Sequence, residues 1–83
     1  MPRFYFDIDD GETIRDEEGD ELAHLDAARL HVRRALIALL AHELRQGGCN
    51  LITVHVRNED GERVATLVGR CEVAIDEVKE AFD

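Results

Sequence analysis

The sequence predicts an α+β domain of ββαββ order, a four-stranded antiparallel sheet with one long helix packed on one face. Three observations predict this fold. Only residues 25–46 combine length with helical periodicity. Short segments of alternating apolar and polar residues flank them on both sides. Two acidic turns ending in Gly11 and Gly61 join these segments in pairs. Because short turns connect antiparallel neighbours, we expect an antiparallel sheet. The length of 83 residues predicts one domain.

The first predicted pair of strands covers residues 3–8 and 12–16. Apolar and polar side chains alternate along residues 3–8, which places their aromatic and aliphatic members on one face. The sequence Asp-Asp-Gly at residues 9–11 predicts a tight turn. The chain then returns with Ile14 pointing inward, and residues 17–20 form a loop that leads to the helix.

The predicted helix, residues 25–46, carries two apolar stripes. The first faces the sheet and consists of Leu25, Ala28, Val32, Ala35, Leu36 and Leu39. The second consists of Leu30, Ile37 and Leu44, with Leu40 between the two stripes. A helix of this length spans about 33 Å, and a seven-residue strand spans about 23 Å. We therefore expect the helix to overhang the sheet near Leu40 and Leu44, where either the C-terminal segment or a second copy of the chain covers the excess.

The helix ends are predicted with unequal clarity. Two glycines, at residues 47–48, indicate where the helix stops. His24 is a poor N-cap, so an earlier start at Asp20 is an alternative.

The second predicted pair of strands covers residues 51–57 and 62–69. If the first and third strands are central, one open sheet face carries Tyr5, Thr53, His55 and Arg57. Residues 72–82 have helical spacing and predict a short C-terminal helix, although the segment alternatively begins as a continuation of the fourth strand.

Charge is unevenly distributed along the chain, whose net value is −9. Residues 1–26 contain ten acidic residues against Arg3 and Arg15. This balance argues against binding nucleic acid or an anionic membrane surface. A basic protein partner fits better, although a solvated acidic turn region explains the same charge. The lack of an apolar leader favours a cytoplasmic protein.

The residues that carry most enzymatic chemistry are absent or badly spaced. No serine occurs, Lys79 is the sole lysine, and Cys49 and Cys71 are expected to be reduced thiols. None of the glycine-containing turns has the ligand spacing of a calcium-binding helix–loop–helix site. His24, His31 and His42 lie about 10 Å and 16 Å apart along the helix, too far to share one ion. We predict no catalytic, cofactor or metal site.

Several short motifs occur in an order that resembles a known family. They are MPRFYFDIDDG at residues 1–11, DEEG at 16–19, Glu-Leu at 21–22, LDAAR at 25–29 and VRNEDG at 56–61. Together they resemble a family of small bacterial proteins classed as a domain of unknown function. The family more often has Pro-Asp before the helix, where this chain has Ala23-His24. The resemblance implies a compact domain and no particular activity.

Three functional hypotheses follow from these observations. The first is a non-enzymatic interaction module that self-associates, as a homodimer, through Leu30, Ile37, Leu40 and Leu44. The second is an antitoxin-like acidic regulator that binds a basic protein through its acidic hairpins. The third is a small enzyme or ligand binder that uses the open sheet face.

Overall fold

The computed structural model describes residues 1–47 and 51–71. Its elements are β1 (Arg3–Asp9), β2 (Thr13–Ile14), β3 (Asp20–Glu21), α1 (Leu25–Arg45), β4 (Leu51–Arg57) and β5 (Arg63–Arg70). The predicted α+β fold with one long helix and an antiparallel sheet is confirmed, but the sheet has five strands rather than four. The predicted C-terminal helix at 72–82 and Cys49 lie outside the described residues.

The sheet is built around β1 and β4, which pair with each other in its centre. The strand order is β2-β1-β4-β5, and β3 also pairs with β1. All pairings are antiparallel, with Phe6 opposite Val56 and His55 opposite Thr66. Since β4 occupies one edge of β1, β2 and β3 share the other edge, at opposite ends of the strand.

The core lies between α1 and one face of the sheet. Its buried members are Phe4, Ala28, Val32, Leu36, Leu40, Ile52, Val54 and Val56. The alternation of β4 puts three branched residues on this face, where each is almost fully buried. Burying such side chains stabilises the fold by roughly 1.5–3 kcal/mol each.

The helix approaches β5 closely because Gly69 has no side chain. A Cβ at this position would lie 2.8 Å from Leu40 Cδ1 and 3.2 Å from Leu36 Cδ2. Leu40 is therefore part of the core and does not overhang the sheet. Ala35, predicted to face the core, is exposed instead, because the helix leans toward β5 and away from the β2 side.

The helix begins where its first periodic residue predicts. His24 is the N-cap, and its Nδ1 accepts a hydrogen bond from the Ala27 N–H at 3.1 Å. This side-chain acceptor satisfies one of the unpaired N–H groups of the first turn. The alternative start at Asp20 is wrong, because Asp20 pairs with Phe4 in the sheet.

The return strand after the first turn is much shorter than predicted. It covers two residues, Thr13 and Ile14. Ile14 pairs with Ile8 and faces the α1 side of the sheet, but it is 58% exposed rather than buried. The chain leaves the ladder after Ile14, and Asp16 contacts β1 through its side chain instead. The loop then rejoins β1 as β3, which the sequence did not predict.

Candidate functional site

The open face of the sheet carries an ion pair between its two central strands. Arg57 Nε donates to Asp7 Oδ2 at 2.6 Å, and Arg57 Nη2 donates to Asp7 Oδ1 at 3.1 Å. Both side chains are only 13% exposed. The guanidinium carbon also lies 5.0 Å from the centroid of the Tyr5 ring. Such a two-pronged contact fixes the orientation of both side chains as well as their charge balance.

Asp16 connects this ion pair to the edge of the sheet. Its Oδ2 accepts the Phe6 N–H at 3.0 Å, and its Oδ1 accepts the N–H groups of Glu18 and Gly19 at 3.1 and 3.0 Å. Its own N–H donates to Asp7 Oδ1, and its carbonyl accepts from Arg57 Nη2 at 2.9 Å. The segment between β2 and β3 is therefore held by side chains rather than by a ladder.

Gly19 allows the loop to pass directly over β1. Its φ is +70°, and a Cβ there would lie 2.6 Å from the Phe4 carbonyl oxygen and 3.0 Å from the Tyr5 ring. Only glycine meets both the left-handed backbone and the close approach.

The electrostatics of this network favour the charged carboxylates. The hydrogen bonds from Arg57 lower the pKa of Asp7, although burial opposes them. Burial raises the pKa of Asp16, but the N–H groups of Gly19, Phe6 and Glu18 together outweigh it, so the pKa lies below its ordinary value. The pKa of Arg57 is raised by the same pairing with Asp7. All three groups are therefore ionised at neutral pH.

The four predicted open-face residues all lie on the side of the sheet away from α1, but no described cavity joins them. A polar depression of about 340 Å³ is lined by Tyr5 and Arg57 with residues of the two neighbouring turns. Thr53 and His55 are not among its lining residues. His55 Nδ1 instead lies 3.0 Å from Thr66 Oγ1 on the adjacent strand.

On this face, Arg57 stabilises the fold through its hydrogen bonds. Two of its guanidinium nitrogens already bind Asp7 and the Asp16 carbonyl. Sequence reasoning missed both aspartates as its partners. Asp7 lies on the same face as Tyr5 by simple alternation, so its pairing was accessible once the register of β1 and β4 was known.

A second candidate surface is an apolar groove between α1 and the β1–β2 side of the sheet. Its volume is about 440 Å³. Phe6 and Ile8 of β1 line one side, Ile14 of β2 lies at the edge, and Ala35 and Leu39 of α1 line the opposite side. The groove exists because α1 packs toward β5 and leaves this half of the sheet incompletely covered.

The rim of this groove is rich in carboxylates. Arg15, Asp16, Glu17, Glu18 and His31 surround its apolar lining. Arg15 pairs with Glu17 at 3.7 Å in an exposed contact. His31 packs its ring on Phe6, with 5.1 Å between the centroids, and its Nε2 lies 3.4 Å from an Asp20 carboxylate oxygen.

A third candidate surface is the flank of α1 that turns away from this groove. Ile37 is 69% exposed and Leu30 is 48% exposed, while Leu44 is half-buried. Ile37 lies about 160° around the helix from Leu39, which lines the groove. Leu40, which the sequence places between the two stripes and in the predicted interface, belongs to the core because it packs over Gly69. We call Leu30, Ile37 and Leu44 the helix flank.

Within residues 1–47 and 51–71, no three His, Cys, Asp or Glu side chains converge to hold a metal ion. His24, His31 and His42 are all exposed. Cys71 is a half-buried free thiol. In the described part of the chain, no helix has the length and apolar character needed to cross a membrane.

Comparison with known proteins gives one match. A family model described as a domain of unknown function, DUF6894, matches residues 3–68. This range begins at β1 and ends within β5, so it includes all three candidate surfaces. No curated protein and no solved structure matches the chain.

Proposed function

Because the chain belongs to the DUF6894 family of domains of unknown function, we propose a function from its geometry: a non-enzymatic interaction module that self-associates. The contact surface is the helix flank, and its partner is the same flank of a second copy. The observation that carries this proposal is the exposure of Ile37, 69%, in the middle of the flank. Burying that side chain against a partner would contribute roughly 1.5–3 kcal/mol.

The spacing of the helix flank supports a symmetric contact. Leu30, Ile37 and Leu44 are each seven residues apart, so the pattern is symmetric about Ile37. Two helices that cross antiparallel at Ile37 bring Leu30 of one copy beside Leu44 of the other. A twofold dimer needs such a self-complementary patch.

The residues beside the flank allow two helices to approach. Ala41 lies one turn from Ile37 on the same side of the helix, and its small side chain permits close contact between helix backbones. In the antiparallel arrangement Arg33 lies beside Ala41 of the second copy rather than beside another arginine. A single helix pair buries less than the roughly 1,200–2,000 Å² of a stable interface, so the association is weak and concentration-dependent.

Sedimentation equilibrium over a wide concentration range tests the proposal. We expect the average mass of the full chain to rise with concentration toward that of a dimer. Ile37→Lys is expected to remove this rise, because it replaces the central apolar contact with a charge that a twofold axis brings close to its own copy.

Ile14→Lys is the matched control. Ile14 has similar exposure, 58%, but lies on the other side of α1, so its variant should associate as the unchanged chain does. A mass that stays monomeric at every concentration would rule out self-association. A mass that rises equally in the Ile37→Lys variant would place the contact on another surface.

A regulator that binds a basic protein is the second candidate function, and the charge of residues 1–26 favours it. The turn carboxylates Asp9 and Asp10 are already engaged, since they accept the N–H groups of Gly11 and Glu12. The acidic groups that adjoin an apolar surface are those around the groove. A regulator of this kind would therefore bind its basic partner through the groove rather than through the hairpin turns.

A further inference from the structure

The groove between α1 and the β1–β2 side combines an apolar lining with a charged rim. Its volume, about 440 Å³, falls within the roughly 300–1,000 Å³ of sites that hold a ligand or a side-chain anchor. Ile14 at its edge is 58% exposed, and Ala35 on the opposite side is also exposed. Binding of an apolar group between these two sides would remove apolar surface from water, which is favourable.

The groups at the rim determine which occupant fits. The Asp16 carboxylate points to the backbone and accepts three N–H groups there. Glu17 and Glu18 remain at the surface, where Arg15 offsets only one negative charge. Asp20 adds a fourth carboxylate beside His31. The rim is therefore negative, and it complements a positive group next to an apolar side chain.

The same charge argues against the chain itself as the occupant. A second copy carries a net charge of −9. The chain's own residues 72–83 contain five acidic residues and only Lys79, so their approach to Glu17 and Glu18 would be repulsive. Apolar character alone would allow either occupant, but the charge of the rim disfavours residues 72–83, and the net charge of a second copy disfavours its approach to the groove at long range.

We propose that this groove binds a basic amphipathic segment of another protein, with an apolar side chain between Ile14 and Leu39 and a lysine or arginine beside Glu17 and Glu18. The apolar lining supplies affinity, and the rim supplies the preference for positive charge. This site does not depend on self-association, because the groove and the helix flank lie on opposite sides of α1.

Three labelled peptides test the proposal on the full chain by fluorescence anisotropy. The first is an amphipathic peptide of leucine and lysine, the second has glutamate in place of lysine, and the third is lysine alone. We expect only the first to bind, with amide chemical-shift changes at Phe6, Ile8 and Ile14 and weaker binding at higher salt. Tight binding of the glutamate peptide would contradict the charge preference. Equal binding of the lysine peptide would contradict the role of the apolar lining.

Variants of the protein locate the binding surface. Ile14→Lys should lower the affinity for the leucine–lysine peptide by about tenfold or more, because it removes apolar contact and adds a repulsive charge. The double change Glu17→Gln with Glu18→Gln should reduce both the affinity and its dependence on salt.

Ile37→Lys is the matched control, since it adds the same charge on the helix flank. Its affinity for the peptide should match that of the unchanged chain even if self-association fails. Equal loss in the Ile37→Lys and Ile14→Lys variants, or no binding of the leucine–lysine peptide to the unchanged chain, would overturn the proposal.

Discussion

The β1–β2 hairpin and the β4–β5 hairpin both combine alternating side chains with an acidic turn that ends in glycine. The β4–β5 hairpin forms a ladder from Leu51 opposite Arg70 to Arg57 opposite Arg63. The β1–β2 hairpin pairs only Ile8 with Ile14 and Asp9 with Thr13. Beyond that point the segment is held by the Asp16 carboxylate and by Arg57.

The position of the helix explains this difference. Leu36 and Leu40 pack on β5 over Gly69, so the apolar face of that hairpin is covered. No such cover reaches β2, and Ile14 remains exposed at the edge of the groove. A strand pattern therefore extends into a full ladder where a helix buries its apolar face, and elsewhere the chain finds other partners.

The largest expected effect separates the two sides of α1. Leu36→Ala should lower the free energy of unfolding by about 2–5 kcal/mol, because Leu36 is almost fully buried on the β5 side. Leu39→Ala should cost clearly less, because Leu39 is half-buried at the groove and its loss leaves no closed cavity. Urea unfolding of both variants measures the difference. Equal losses would mean that the groove side is packed as tightly as the β5 side.

A smaller effect tests the side-chain contacts that hold the β1–β2 side. In the Asp16→Asn variant, the side-chain NH₂ group replaces one carboxylate oxygen and faces at least one backbone N–H that donates to Asp16 in the unchanged chain. Two donors then face each other, and that hydrogen bond is lost. The expected loss in the free energy of unfolding is about 1 kcal/mol at neutral pH.

The same carboxylates make stability depend on pH. The pKa values of Asp7 and Asp16 in the folded protein lie below their ordinary value of 3.8. The stabilisation that the ionised carboxylates give to the folded protein is therefore fully present above pH 3.8. It is lost as the pH falls through their lower pKa values in the folded state. Urea midpoints measured from neutral to acidic pH should fall less steeply in Asp16→Asn. Glu12→Gln, in the exposed turn, should keep the original steepness, and an equal flattening there would remove Asp16 as the cause.

The smallest expected effect is at the exposed strand. Ile14→Thr should change the free energy of unfolding by no more than about 0.5 kcal/mol, because the side chain is mostly in water. The same substitution at Ile52, which is 1% exposed, should cost at least about 1 kcal/mol. Thermal or urea unfolding distinguishes them. A large loss at Ile14 would show that the edge of the groove contributes to the core.

The helix and the longer strands were predictable because their periodicity spans many residues. Residues 25–45 and the alternation of β4 leave little choice of structure. Leu40 was not predictable in the same way, since it lies between two stripes and its burial depends on the tilt that Gly69 permits. β3 consists of Asp20 and Glu21, which have no preference for strands and pair where Gly19 and the hydrogen bonds of Arg3 bring this segment to β1.

The candidate surfaces were predictable in part. The helical wheel places Leu30 and Ile37 together on a side of α1 away from the first apolar stripe, and in the structure both are exposed. The groove depends on where the helix sits on the sheet, which no local pattern encodes. The Asp7–Arg57 ion pair requires the register between β1 and β4, which joins residues fifty positions apart.

Asp16 also limits how the sheet can grow. Its carboxylate takes the outward-facing N–H of Phe6, midway between the short pairings of β2 and β3, so the β1 edge offers no continuous row of donors and acceptors to a foreign strand. Among the described residues, the outer edge of β5 has no paired strand. A fibril needs two compatible edges on every subunit, and the part of this sheet formed by residues 1–47 and 51–71 has one. Edge-to-edge pairing of sheets from different copies would therefore stop at two subunits and would not continue into a fibril.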